Sequence, residues 1–411
     1  MKKTANLHSK AVRLLYTFIC MLPFFGAYGT AHAALLNLFS SNKDIKVENR
    51  MDGDFLKVGV YTPMAENITD LAWSPDGKNL ATTGNGGRLN IIDSQTHQVI
   101  RTFEGSRGIG KVAYSPDGRF IALGVRSISI IDPNNGALIR TILGPYAETI
   151  GPQSVELQSI VFSPDAKSLA ALYRGIDKKT EVNRSEDKRR YHTAIVLYRV
   201  STGEVVWDKP MEGTIGLPMI NTRLIFSADG KNLLFGVGER SFATSDPERK
   251  ASLVMLNSKT GVEFKTLENI HIDRPTALAL SPDGKFAATG TSTGVTDTTS
   301  NVITHKTKTF VNKDPIRIWD LERGKLVSEL PVDSTVISLA FSQDGKYLLS
   351  GNNNMKTKKK MQVWKLSTNE LVQQLAPSGK FGAPMSMAFS PDGTKVAAAG
   401  GLELLIMDVN N

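Results

Sequence analysis

A short pattern recurs seven times along this chain of 411 residues. Each copy has three apolar or small residues, then Ser-x-Asp followed in six copies by Gly, then a second apolar run. The aspartates are Asp76, Asp117, Asp165, Asp229, Asp283, Asp344 and Asp392, and successive ones lie 41 to 64 residues apart. A minimum period near 40 residues with variable excess predicts one ring of repeated units, rather than two or three unrelated domains.

The composition of the pattern predicts a tight hairpin between two strands. Proline at its second position presets φ, aspartate caps the turn backbone, and glycine accepts a left-handed conformation. Ala228 and Gln343 replace the proline in the fourth and sixth copies, and Ala166 replaces the glycine in the third. Ala166 therefore predicts slight strain in its turn, and we interpret all seven aspartates as structural.

The apolar runs in each unit predict four strands. The residue before Ser is usually aromatic and the one before that is small or aliphatic, as in Ala72-Trp73. Because successive side chains of a strand point to opposite faces, this alternation suits an innermost strand, where blades converge. The last unit ends after its third strand, whereas Phe55–Tyr61 precedes the first unit as an orphan strand. We therefore predict an all-β, seven-bladed β-propeller of four-stranded antiparallel blades, closed by this N-terminal strand.

Over roughly residues 55–411 the units resemble WD40 repeats and their bacterial propeller relatives. Residues 315–320 read Pro-Ile-Arg-Ile-Trp-Asp, like the third strand of a WD40 blade. The first two units, with Ile-Ile-Asp and then Ile-Arg-Thr, are also similar to the YVTN type of propeller. The resemblance implies a structural role for His271, hydrogen-bonded with Thr289, Trp319 and Asp314, although Asp314 sits one position from the usual place.

Residues 1–33 read as a secretory signal. These residues contain no acids, and their four cations lie in a basic start, Lys2 to Arg13, before a mostly apolar stretch of 16 residues, Leu14–Gly29. Ala31-His32-Ala33 then offers small residues for cleavage before Ala34. A membrane anchor is the alternative, but a span needs about 20 residues. The prediction is export to the periplasm, loss of Cys20 (the only cysteine) and a mature chain with an arm at 34–54 before the propeller at 55–411.

The long connections fall between second and third strands, at Arg174–Thr193, Gly236–Ala251, Gly290–Pro315 and Gly351–Met361, and carry +3, 0, +1 and +4. In WD40-like blades such connections share one face. Long loops on one face favour binding over neutral drift, and a basic face attracts anions. We therefore predict an acidic protein partner in the cell envelope, although solubilising lysines would explain the charge equally. The candidate contacts are Lys188, Arg189, Arg190, Lys356, Lys358, Lys359 and Lys360.

Anionic lipid or an acidic glycan is an alternative target, whereas the signal and the scarcity of aromatics, Tyr191 and Phe310 alone among the basic runs, argue against nucleic acid. The four histidines after the signal, His97, His192, His271 and His305, form no pair with metal-ligand spacing, and no hydrolase or phosphate-binding motif occurs. His192 and His305 would become ligands only by convergence of the long loops.

We therefore predict a monomeric, non-enzymatic interaction scaffold without a cofactor. Two alternatives stay open. One is a periplasmic enzyme or cofactor protein with a site at the mouth of the central channel, for which the Ala-rich inner strands reveal no polar groups. The other is a subunit of an envelope assembly that contacts lipid or the cell wall.

Overall fold

The computed structural model describes part of the chain, and the following account is restricted to it. The described residues are 55–56, 60–64, 66–105, 108, 110–145, 155–176, 191–211, 223–238, 251–271, 275–291, 297–301, 306–310, 314–353, 359–377 and 381–410. In these ranges the chain forms β-strands, and no helix long and apolar enough to cross a membrane occurs among them. The predicted signal, its cleavage site and the arm at 34–54 lie outside the described residues.

Seven sheets of four antiparallel strands follow one another along the chain. In blade order the strands are β2 (Ile68–Trp73), β3 (Asn79–Gly84), β4 (Arg88–Asp93) and β5 (Val99–Glu104); β6 (Lys111–Tyr114), β7 (Ile121–Gly124), β8 (Ile128–Ile131) and β9 (Leu138–Ile142); β10 (Val155–Phe162), β11 (Ser168–Ile176), β12 (Tyr191–Arg199) and β13 (Val205–Met211); β14 (Ile225–Phe226), β15 (Asn232–Val237), β16 (Ser252–Asn257) and β17 (Glu263–Leu267); β18 (Pro275–Leu280), β19 (Phe286–Thr291), β22 (Ile316–Asp320) and β23 (Lys325–Leu330); β24 (Thr335–Phe341), β25 (Tyr347–Asn353), β26 (Met361–Lys365) and β27 (Glu370–Leu375); and β28 (Phe381–Phe389), β29 (Lys395–Gly401), β30 (Glu403–Asp408) and β1 (Val60–Pro63).

The blades form a ring whose innermost strands line a central channel. Each first strand neighbours the next blade, and β28 of blade 7 neighbours β2 of blade 1, which confirms the predicted seven-bladed propeller. The hydrophobic core is divided among the spaces between adjacent blades. Between blades 7 and 1, for example, Trp73 and Leu80 pack with Leu404 and Ile406. Each blade therefore needs a neighbour on both sides to bury its apolar faces.

The seven repeated turns have the predicted structural role. In every copy the Ser Oγ donates a hydrogen bond of 2.6 Å to the Asp Oδ1. The same Ser Oγ accepts a backbone N–H at the start of the second strand, as from Asn79 at 2.9 Å. The hydrogen bond from Ser74 is the main reason why the pKa of Asp76 lies below its usual value.

Ala166 occupies the left-handed region that glycine occupies in the other turns. Its φ is 58°, and that of Gly284 in blade 5 is 71°. A side chain there is strained by about 1–2 kcal/mol. A Cβ added at Gly284 would meet no atom within 4 Å, so at that position strain would be the sole penalty of a methyl group.

We expect Ala166→Gly to raise the free energy of unfolding by about 0.5–1 kcal/mol, because relief of backbone strain exceeds the extra unfolded-state entropy of glycine. The control Gly284→Ala is expected to lower it by about 1 kcal/mol. Equilibrium urea denaturation measures both. Changes of the same sign in the two variants would show that backbone conformation is not the determining factor.

The N-terminal strand closes the ring, as predicted, but its bounds differ. The strand β1 begins at Val60 and pairs with β30, from Val60 opposite Ile406 to Pro63 opposite Glu403, whereas the sequence suggested Phe55–Tyr61. Leu56 forms a separate bridge with Val409. The pairing covers the outer edge of β30, which would otherwise remain open to pairing with another chain.

The segment before β1 is fixed by side chains of its neighbours. Gln373 of blade 6 accepts the N–H of Leu56 and donates to its carbonyl, both at 2.9 Å. Phe55 stacks against Tyr347 with ring centroids 4.2 Å apart. The N–H of Asn410 donates to the Phe55 carbonyl at 2.8 Å, so both ends of the described chain meet at one point.

We expect Gln373→Ala to lower the free energy of unfolding by about 2–3 kcal/mol, because it leaves a buried backbone N–H and carbonyl without partners. Gln374→Ala, the neighbouring and partly exposed glutamine, serves as the matched control with an expected change below about 0.5 kcal/mol. Thermal and urea unfolding give the comparison. Equal losses in both variants would refute a closing role for Gln373.

Candidate functional site

All four long connections leave and re-enter the propeller at one face. They run between β11 and β12, β15 and β16, β19 and β22, and β25 and β26, which confirms that each joins a second to a third strand. Because strands alternate in direction, these connections share their face with the links from one blade to the next. We call this the long-loop face, and the opposite one, which carries the Ser-x-Asp turns, the turn face.

The strands extend into all four of these connections further than the sequence indicated. Tyr191 and His192 belong to β12, not to a loop. The longest connection contains a hairpin of its own, β20 (Asp297–Asn301) paired with β21 (Lys306–Phe310) in a separate two-stranded sheet. Sequence reasoning treated this region as a loop, because its threonine-rich strands lack the alternating apolar residues that a packed strand shows.

Two of the seven candidate contact residues fall within the described chain, Lys359 and Lys360. Lys188, Arg189, Arg190, Lys356 and Lys358 lie outside it. The Lys360 ammonium donates to the Phe381 carbonyl, and its partial burial lowers the pKa of this lysine. Lys360 is therefore held against blade 7, whereas the roles of all seven residues in binding stay predictions.

The turn face balances its own charge. Its turns carry the seven aspartates, and in six of them a cation follows two residues later: Lys78, Arg119, Lys167, Lys231, Lys285 and Lys346. Four of these cations lie within 4.0 Å of the aspartate in their turn. The turn face thus has no comparable basic excess in its repeated turns.

A polar layer surrounds the channel near the long-loop face, and sequence reasoning missed it. It consists of the residues six positions before each turn aspartate, of which six are polar and Ala277 is the exception: Asp70, Lys111, Ser159, Arg223, Ala277, Ser338 and Ser386. We call these seven residues the channel layer. The signal in the sequence is a polar residue at the same repeat position in six of the seven inner strands.

Most of the channel layer joins adjacent blades. The Ser159 Oγ accepts the N–H of Leu224 at 2.9 Å, and the Ser338 Oγ donates to the Pro384 carbonyl at 2.6 Å. An Asp70 carboxylate oxygen accepts the N–H of Val112 at 3.2 Å. In each pair the partner belongs to the next blade, so these contacts hold the inner strands in register.

Arg223 makes a different contact, because it spans the channel. It precedes the first strand of blade 4, yet its guanidinium donates to the Ser386 Oγ of blade 7 at 2.6 Å. The same nitrogen lies 3.7 Å from the Oδ1 of Asp70 in blade 1. Ser386 in turn donates to that Oδ1 at 3.0 Å. Side chains of three blades therefore converge on one carboxylate.

Lys111 of blade 2 adds a second cation to this group. It is 6% exposed. Burial lowers the pKa of Lys111, the Asp70 carboxylate raises it, and Arg223 lowers it further. The channel mouth thus has the polar groups that a ligand site would require. Among the described residues, however, no three His, Cys, Asp or Glu side chains are placed to hold a metal ion.

The predicted set around His271 is confirmed as a buried hydrogen-bonded chain. The Trp319 Nε1–H donates to the Thr289 Oγ1 at 3.0 Å, and this oxygen lies 2.8 Å from His271 Nε2. His271 Nδ1 lies 3.0 Å from an Asp314 carboxylate oxygen. Asp314 also pairs with Arg317 at 3.0 Å. The position of Asp314, one residue from the usual place, does not prevent the contact.

We expect Thr289→Val to lower the free energy of unfolding by about 2–4 kcal/mol, since it removes the central member of this buried chain. Blade 6 offers a matched control, in which Trp364 Nε1 donates to Ser350 Oγ at 3.2 Å. Ser350→Ala is expected to cost about 1 kcal/mol. Urea denaturation distinguishes them, and a larger loss in the Ser350 variant would contradict a special role for the His271 chain.

Comparisons with known proteins agree with this architecture. A family model described as "Anaphase-promoting complex subunit 4 WD40 domain" matches residues 34–112, and one described as "WD domain, G-beta repeat" matches residues 324–364. The second match begins before the outer strand of blade 5 and ends within the third strand of blade 6. One sequence repeat of this family model therefore begins with the outer strand of one blade and continues through the first three strands of the next.

Two curated relatives are distant. "Cell division cycle 20.1, cofactor of APC complex" of Arabidopsis thaliana is 24% identical over 328 residues, which is 79% of this chain and 57% of that protein. "Protein HIR1" of Cryptococcus neoformans is 30% identical over 108 residues, 26% of this chain and 12% of that protein. The chain thus covers little more than half the length of the Arabidopsis protein.

The closed ring of seven blades and the two repeat models together identify this chain as a WD40-type β-propeller. The likeness of the first two units to the YVTN type stays a prediction.

Proposed function

We propose that this chain is an exported, non-enzymatic WD40 scaffold that binds an acidic protein partner at its long-loop face. The main observation behind this proposal is that all four long connections, from the consecutive blades 3 to 6, emerge at one face of a rigid ring. Rigid scaffolds commonly present binding residues on such loops. A partner that contacts several loops at once would bury a surface of the size that specific interfaces need.

Charge supports the choice of an acidic partner. The four connections carry +8 in sequence, whereas the residues after the predicted signal carry +5 in total. The remainder is therefore slightly acidic, and in six of the seven repeated turns of the turn face a cation follows the aspartate two residues later. A molecule whose positive charge is concentrated on one face directs an acidic partner toward that face during encounter.

The relatives support a protein-binding role. The Arabidopsis protein is named as a cofactor of a complex, so it acts together with an assembly. WD40 propellers host many functions, and the fold by itself selects none of them. For this chain the placement of the four connections favours a scaffold, with anionic lipid or an acidic glycan as the competing targets.

Export is supported by the sequence of residues 1–33, with its basic start, apolar centre and Ala31-His32-Ala33. A partner in the cell envelope follows from that location. Cleavage before Ala34 would also remove Cys20, which leaves a chain that needs no disulfide because its apolar core is large.

We expect the triple variant Lys356→Glu, Lys358→Glu, Lys359→Glu to capture roughly tenfold less partner from envelope extract at low salt, because attraction of an acidic partner is lost. Lys360 stays unchanged, since it holds the Phe381 carbonyl. A second variant with Lys188→Glu, Arg189→Glu and Arg190→Glu tests the loop of blade 3 in the same way. Quantitative mass spectrometry of the captured proteins gives the readout.

The matched control is Lys78→Glu, Lys167→Glu, Lys231→Glu, which changes the net charge equally on the exposed turn face. Capture by this control should equal that of the unchanged protein. If the loop variants and the control lose binding equally, the total charge matters and the long-loop face does not. If every form captures the same proteins in equal amounts, the proposed acidic partner is wrong.

A further inference from the structure

We propose that a cavity between blades 1 and 2 binds an extended peptide segment that combines aliphatic side chains with an acidic residue. The cavity has a volume of about 560 Å³, which lies within the range of established ligand sites. We call it the interblade cavity. It does not depend on the function proposed above, because the four long connections belong to blades 3 to 6.

The interblade cavity is lined by a small side chain at a position where the other blades carry larger ones. In each blade one residue of the third strand pairs with the residue that follows the turn aspartate by six positions. In blade 2 this residue is Ser129, which lies opposite Leu123 and lines the cavity. Its counterparts in the other blades are Asn90, Val196, Val254, Arg317, Gln362 and Leu405. Ser129 is the smallest of the seven, so it fills the least space between its blade and the preceding one.

Apolar side chains of both blades line the interblade cavity. Phe103 belongs to blade 1, whereas Leu123, Ile131, Leu138 and Leu143 belong to blade 2. Leu138 is 61% exposed and Leu143 is 65% exposed. A ligand that covered these two leucines with aliphatic side chains would gain the free energy of apolar burial.

The length of the interblade cavity fits an extended chain. Leu138 is the first residue of β9, and Leu143 directly follows its last residue, so both ends of this strand contribute to the cavity wall. Five steps of about 3.4 Å along a strand give roughly 17 Å. A peptide of about five residues in extended conformation covers this distance.

A buried hydroxyl in the interblade cavity favours a peptide over a plain hydrocarbon. Thr83 is 2% exposed, and within the described part of the chain its Oγ1 has no hydrogen-bond partner. Thr83 lies on the same face of β3 as Ala81, which packs against blade 2. A Cβ built on Gly110 of blade 2 would lie 2.4 Å from the Thr83 Oγ1, so this hydroxyl is directed between the blades. A carbonyl or N–H of a peptide would supply the missing hydrogen bond, whereas an alkyl chain would not.

The charged side chains around the interblade cavity favour an acidic ligand. The Glu104 carboxylate is already paired with Arg88, whose Nε lies 3.1 Å away. Arg126 is exposed, lines the cavity and forms no ion pair with another described residue. A carboxylate is the usual partner of a guanidinium, because its two oxygens match two parallel N–H donors. An acidic residue of the peptide would therefore pair with Arg126.

Selection from a displayed library of random octapeptides tests the proposal, with the purified protein as target and its Ser129→Leu variant as counter-target. Ser129→Leu introduces the residue that blade 7 carries at this position, and it narrows the cavity. We expect the selected peptides to combine aliphatic residues with an acidic one and to bind with a Kd on the order of 10 μM. Fluorescence anisotropy of labelled synthetic copies measures the affinity, which should fall about tenfold or more in Ser129→Leu.

Two further variants test the polar contacts. Thr83→Val keeps the shape of the side chain and should weaken peptide binding about three- to tenfold, while the melting temperature stays equal or rises because no hydrogen bond within the protein is lost. Arg126→Glu should weaken binding about fivefold or more. Lys259→Glu, at an exposed position of blade 4, makes the same change of charge and should leave the affinity unchanged. Circular dichroism verifies that each variant is folded.

Three results would overturn the proposal. No peptide is enriched over the Ser129→Leu counter-target, or the enriched peptides lack acidic or aliphatic residues, or they bind the Thr83, Arg126 and Lys259 variants with equal affinity. A melting temperature that falls in Thr83→Val would show that the hydroxyl serves the fold instead. Failure here leaves the long-loop proposal intact, because the cations tested there belong to connections of blades 3 and 6.

Discussion

The faces of each blade are apolar, so the propeller becomes stable only when every blade has a neighbour on both sides. Blades 2 and 3 show the consequence, because one buried cluster combines Ile128 and Ile142 of one with Leu169 and Val196 of the other. The N-terminal strand β1 completes blade 7 and brings blade 1 into contact with it. Everything that the ring presents, from the channel to its loops, depends on that closure.

Within the closed ring, every blade repeats the same Ser-x-Asp turn, whereas the connections between second and third strands differ in length. The Ser-to-Asp hydrogen bond is identical in length in all seven turns, and it persists in the turn where Ala166 is strained. Because this device fixes the turn locally, the opposite ends of the same strands accept long connections without disturbing the blade. The repeated turns and the variable loops therefore occupy opposite faces, which separates the stabilising side of the molecule from the side available for binding.

The sequence predicted the number of blades, the strand order, the closing strand and the chain of contacts around His271, because each leaves a periodic or local signature. It placed the closing strand five residues early, since Phe55 is apolar but packs on Tyr347 as an anchor rather than in the ladder. The hairpin β20–β21 has no apolar period that would reveal it. Arg223 and Asp70 are 153 positions apart, so only the closed ring shows that they meet.

The meeting of both ends of the described propeller at the Phe55 carbonyl has a mechanical consequence. The strands β1 and β30 are antiparallel, and the two ends leave from the same end of that pair, on the turn face. A force that separates the two ends would break the hydrogen bonds between β1 and β30 one after another, starting at Val60. A tether attached to only one of these ends would place no separating force on the hydrogen bonds between β1 and β30. It would also hold the ring by its turn face and leave the opposite face directed outward.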